Sequence, residues 1–280
     1  MNYKSITLDV SNKIAHITLN RPDDLNSMNL DFWHELPKVI HDINNESAAR
    51  VIVISSTGKH FCAGMDLAIF SPSDKDKNIE LGRKHEQLRR TVLKLQACFN
   101  VLENARMPVL MAVQGGCIGG AVDMISAADC RYCTSDAFFS IEETKLGMTA
   151  DLGTLQRLPK LISMGLVKEL AYTGRRMLAK EAKEAGLVNN VYDDQESMLK
   201  AVMEVAADIA TRSPLAVTGC KEMINYARDH SVPDSLNYMS VWQSGMFQPQ
   251  NDMIETFTAK VEKRAPEFDE LPKIDNSTAF

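Results

Sequence analysis

The sequence predicts an α/β fold, with an α/β core followed by a helical C-terminal region. Two observations carry this. Strand-like and helix-like runs alternate about every fifty residues until roughly residue 195, and helical patterns dominate from there on. The run 51–55 is rich in β-branched apolar residues and 109–113 is apolar throughout, as in strands covered on both faces. The 280 residues suit one large domain with an appendage. The division expected is a core over 1–195 and a helical region over 196–280, with no low-complexity linker between them.

The elements follow from local pattern. Ile6, Leu8 and Val10 alternate with polar residues, Asn12 and Lys13 make a turn, and Ala15, Ile17 and Leu19 alternate again, which predicts a hairpin. The polar, proline-containing run 20–24 ends it. Phe32, Leu36, Ile40 and Ile43 predict an amphipathic helix over 30–43. A buried strand at 51–55 leads into a loop over 57–66, and 71–78 reads as a polar loop. Leu88, Val92, Leu95, Phe99 and Leu102 predict a long helix over 81–102. Pro108 introduces strand 109–113, and the glycine-rich turn 114–120 opens a helix over 121–128. Short strands are expected at 130–134, 138–140 and 187–192, with helices filling most of the rest after 147.

Composition excludes several classes. Hydrophobic residues at 45% and charged ones at 24% are globular proportions, not disordered or collagenous ones. No apolar run approaches the roughly 18 residues of a membrane span. The N-terminus lacks a signal or transit pattern, and Ser277-Thr278-Ala279-Phe280 is not the peroxisomal tripeptide. A cytoplasmic protein without a membrane partner is expected. The net charge of −6 argues against nucleic acid. Cys130 and Cys133 form a CxxC; a redox or zinc pair is the alternative to two small core residues. An extended chain would send the thiols to opposite faces, and no second pair has metal-ligand spacing. The six histidines are scattered, and no metal is expected. GxSxG, GxxxxGK[ST], HExxH and GxGxxG are all missing from the sequence.

What remains points to proton chemistry beside a carbonyl. Gly119-Gly120 precedes a helix whose first turns contain Asp123, and Glu143 follows twenty residues later and Asp151 eight beyond that. Glycine before a helix exposes backbone N–H groups at the positive end of the dipole. Such an N–H, with a second from Ala63-Gly64, would stabilise an enolate oxygen. Carboxylates nearby could then move protons on the adjacent carbon. Spacing alone leaves another reading open: Asp123 as a helix-start charge, Glu143 as a solvated strand end and Asp151 as a loop or cap residue.

The chain resembles the crotonase (enoyl-CoA hydratase/isomerase) superfamily. The resemblance rests on the Ile17–Pro22 run with Leu25-Asn26, on Phe61-Cys62-Ala63-Gly64-Met65-Asp66-Leu67, and on Ala112 through Ala121. Leu146-Gly147-Met148, Gly153 through Pro159 and Ala182 through Val188 continue it in family order. Within the family it is most similar to the dienoyl-CoA isomerase branch, through Val122–Ala127, Arg131–Thr134, Asp136–Phe139 and Ala150–Lys160. Ala121 stands where glycine is common.

The resemblance implies a ClpP-like spiral of ββα units, with 196–280 as a trimerisation region and a homotrimer or hexamer as the assembly. It implies an acyl-CoA thioester substrate and no cofactor, coenzyme A being part of the substrate. Ala63 and Gly120 would supply the oxyanion hole, with Asp123, Glu143 and Asp151 as the acid and base groups. Hydratases usually carry glutamate at position 123 and glycine at 151. The implied reaction is therefore isomerisation of a 3,5-dienoyl-CoA to the 2,4-dienoyl-CoA in fatty acid β-oxidation. The alternatives on this scaffold are a 2-enoyl-CoA hydratase and a delta(3)-delta(2)-enoyl-CoA isomerase. A non-catalytic RNA-binding or scaffold member is opposed by the glycines, the carboxylates and the acidic balance. Lys260, Lys263 and Arg264, near Phe257, are expected to hold the nucleotide end of CoA, often from a neighbouring subunit; a solvated basic face is the other reading of those three.

Overall fold

The opening alternation folds into a hairpin: β1 (Ile6–Ser11) pairs antiparallel with β2 (Ile14–Leu19). Asn12 and Lys13 turn between them at positive φ. The structure is a computed structural model describing residues 3–70, 79–246 and 248–274. The polar run 71–78 and the tetrapeptide 277–280 lie outside the described residues.

α1 (Leu30–Glu46) starts at Asn29, whose side chain accepts the Phe32 N–H, and buries Phe32, Leu36, Ile40 and Ile43. β3 (Val51–Ser56) follows, buried throughout. α2 (Leu81–Asn104) packs on α1 through Cys98, Phe99 and Leu102 while its first half stays exposed. From β4 (Val109–Val113) the chain enters a short β5 (Gly116–Ile118), then α3 (Gly120–Ser126), β6 (Cys130–Thr134) and β7 (Phe138–Ser140). α4 (Thr154–Arg157), α5 (Met164–Thr173), β8 (Met177–Leu178), α6 (Ala179–Glu184) and β9 (Asn190–Tyr192) complete the core.

Two sheets result, ordered β1-β2-β3-β4-β6-β9 and β5-β7-β8. After the hairpin the large sheet is parallel throughout. The connections β4–β5 and β6–β7 each step from the large sheet to the small one, so the chain winds as a spiral. The glycines of 114–120 by themselves predict only a turn. Gly116–Ile118 becomes a strand because it pairs with β7 and bridges to Cys62, partners distant in sequence. Cys133 of β6 lies in the core, and burial pushes its thiol up to about 12.

The expected boundary at 195 does not fall where the packing changes. α7 (Gln195–Ala210), capped by Asp194, lays Met198, Val202 and Ala206 on the large sheet against Val51, Val53, Leu110 and Ala112. It is part of the core, because those sheet residues would otherwise face water. α8 (Pro214–Asp229), α9 (Val232–Val241) and α10 (Gln250–Glu262) follow. They leave Ile224, Leu236, Ile254 and Phe257 exposed. Beyond α10 the chain returns to the core, where the buried Arg50 guanidinium donates to the Phe268 and Ala210 carbonyls and to Glu270. Among the described residues no helix is long and apolar enough to cross a membrane.

Candidate active site

The loop after β3 is stitched into place from two sides. Cys62 donates its N–H to the Gly116 carbonyl and accepts from Ile118, both at 3.1 Å. Met28 donates to the Gly64 carbonyl at 2.8 Å, and Asp66 donates to the Met28 carbonyl at 3.2 Å. Leu25 and Asn26 adopt positive φ, and Asn26 fastens this turn by accepting the Arg21 N–H and donating to the Thr57 and His60 carbonyls.

This stitching corrects the expectation for Ala63. Its N–H is donated to the Leu25 carbonyl at 3.0 Å, so it is spent on holding the loop. Gly120 N–H, at the start of α3, and Met65 N–H, two positions beyond Ala63, each have no partner among the described residues. They are neighbours, since a Cβ built on Gly120 would lie 3.8 Å from Met65 N and 3.3 Å from Met28 Sδ. Gly64 sits at φ +85°, and a Cβ there would fall 2.6 Å from the Ile118 carbonyl oxygen. Only glycine lets the two strands of the site approach this closely. Sequence reasoning missed Met65 because nothing local distinguishes three consecutive peptide N–H groups; the pairing to Leu25 and Met28 does.

The three carboxylates converge on this place. Asp123 is 1% exposed and accepts the Thr154 N–H at 2.6 Å. Burial raises its pKa to about 7, with the Thr154 bonds opposing and the charges of Glu143 and Asp151 adding to the rise. Glu143 is half-buried, and burial, then the charge of Asp151, pushes it up. Its Oε1 lies 3.4 Å from where a Gly119 Cβ would stand, and its Oε2 is buried without a hydrogen-bond partner. Asp151 is the most exposed of the three and is also raised by burial. Burial disfavours the charged form of a carboxyl group, and a neighbouring negative charge adds to that effect, so each of the three holds its proton more readily than it would in water. Beside two free N–H donors, such a set can remove and return protons next to a polarised carbonyl.

Residues 9–271 match the enoyl-CoA hydratase/isomerase family. The chain belongs to that family. Among curated relatives it is 45% identical over 270 residues to the mitochondrial Delta(3,5)-Delta(2,4)-dienoyl-CoA isomerase of Mus musculus, covering 94% of this chain and 81% of the relative. It is 40% identical over 275 residues to the peroxisomal Delta(3,5)-Delta(2,4)-dienoyl-CoA isomerase of Arabidopsis thaliana, covering 96% and 99%. Among solved structures, the enoyl-CoA hydratase of Bacillus anthracis superposes with a TM-score of 0.82 at 31% identity, covering 97% of this chain and all of the other. The crotonase fold is thereby established for this chain. The mitochondrial and peroxisomal relatives overturn the expectation of a cytoplasmic protein. Compartment is set by receptor-read addresses, and the composition of the folded domain does not encode it.

The basic residues of this family member divide. Arg264 is committed to Glu255 and to Glu262 at its own end of the chain. Lys260 and Lys263 remain exposed, the latter capping α10 in the left-handed conformation. Neither lies in the carboxylate cluster.

Proposed function

We propose that this chain is a delta(3,5)-delta(2,4)-dienoyl-CoA isomerase of fatty acid β-oxidation. The observation that carries the reading is the third carboxylate, Asp151, brought into electrostatic reach of Asp123 and Glu143 beside two unspent backbone donors. Met65 and Gly120 N–H bind the thioester oxygen. Asp151, the more exposed and hence more readily ionised group, removes a proton from C2. The charge spreads over the oxygen and along the diene as a dienolate. Glu143, deeper than Asp151 and with its pKa pushed up by burial, delivers a proton to C6. One proton leaves and one arrives, so the double bonds move and no water is consumed. The spent pair resets by exchanging a proton, while Asp123 shapes the field and anchors Thr154. The chemistry asks for no cofactor beyond the CoA of the substrate.

The test compares a 3,5-dienoyl-CoA with crotonyl-CoA by ultraviolet absorbance. The conjugated dienoyl thioester absorbs at longer wavelength, and its appearance is the expected result. Hydration of crotonyl-CoA without diene conjugation would replace this reading with the hydratase one.

The exposed apolar faces of α8–α10 fit a trimer, or a dimer of trimers, built through the residues after α7. Burying such residues is worth about 25 cal/mol per Å². In that assembly Lys260 and Lys263 reach the CoA phosphates of a neighbouring subunit. Light scattering at micromolar concentration is expected to show the trimer or hexamer; a monomer would remove both the assembly and the shared CoA site.

A further inference from the structure

Residues 151–153 form neither helix nor strand, yet the proposed base stands among them. A catalytic group must be held to within about 0.5 Å of its working position. Hydrogen bonds from two different helices grip the backbone on either side. Asp123 of α3 accepts the Thr154 N–H. Gln96 of α2 donates its side-chain amide to the main-chain carbonyl of Asp151 at 2.7 Å. Between them Gly153 turns at φ +132°, where a Cβ would fall on the Arg157 guanidinium. Arg157 is itself pinned by Glu103 and Asn100 of α2. Gln96, Leu152, Gly153 and Arg157 line an open cleft, so on that side the segment is held by polar ties rather than by close packing.

We propose that Gln96 is a positioning residue for Asp151. Its amide, carried on a regular helix, fixes the Asp151 peptide and so aims the carboxylate at C2 of the substrate. The bond goes to the carbonyl and not to the carboxylate, so Gln96 acts on where the base is and does not take its charge. This inference rests on the isomerase reading above.

Gln96→Met keeps length and helix propensity but deletes the donor. A base displaced by about 1 Å can cost up to about 10²-fold; with the Asp123 grip intact, the expected loss is about 10-fold in kcat. KM should stay within about two-fold, since the bond is not to the substrate. The deciding measurement repeats the substitution in an Asp151→Asn background. With no base left to aim, Gln96→Met should cost less than about two-fold there, the non-additivity of residues acting as one unit. Equal losses in both backgrounds, a loss carried by KM, or no loss in the native background would each overturn the positioning role. The two readings fail separately. Normal conjugation by Asp151→Asn alone removes the base assignment, whereas an impaired Asp151→Asn with additive Gln96→Met removes only the role of Gln96.

Discussion

Asp151→Asn lowers the rate of diene conjugation by about 10²–10⁴-fold, the range of a general acid–base group, and leaves acyl-CoA binding in place. Asparagine has nearly the same shape but cannot take the C2 proton. Burial raises the pKa of Asp151, which makes the carboxylate a stronger base than in water. The absorbance assay reads the rate, and equilibrium binding of a dienoyl-CoA reads the retained affinity. Glu143→Gln separates the two ends of the reaction, because it blocks delivery to C6 while leaving Asp151 to exchange C2 hydrogen with deuterated solvent. A variant Asp151→Asn that conjugates at the native rate would remove the assignment of Asp151 as the base at C2.

Gly120→Pro is the second large effect. Gly120 opens α3, and proline is accommodated at a first helical position because its missing N–H has no helical partner there. The substitution therefore deletes one proposed donor to the thioester oxygen at small cost to the helix, the nearest obstacle to a new Cβ being the flexible Met28 side chain. Removing one oxyanion donor costs about 10²–10³ in rate. Circular dichroism checks that the variant is folded, and the absorbance assay reads the loss. A folded variant within a few-fold of the native rate would sink the assignment of Gly120, and Met65→Pro applies the same measurement to the other donor.

Much of the fold is legible residue by residue. The alternation in β1 and β2, the unbroken apolar runs of β3 and β4, and the three-to-four spacing in α1 and α2 each state their structure locally, because burial on a helix or strand imposes its own period. The glycines at 64, 119 and 120 and the carboxylates at 123, 143 and 151 are likewise visible, as residue types whose chemistry is known before any fold. Only the tertiary structure decided how they are used. The pairing of Ala63 with Leu25, far away along the chain, leaves the free donor at Met65, since a peptide N–H can be assigned only once its partner is known. The packing of α7 on the large sheet moved it into the core, because an amphipathic stripe does not say which surface it will cover. Burial raises all three of Asp123, Glu143 and Asp151, the charge of Asp151 adds to the rise at the other two, and the grip of Gln96 on Asp151 comes from another helix altogether. Charge coupling and hydrogen bonding fall off over a few ångströms of space, a distance that separation along the chain does not report.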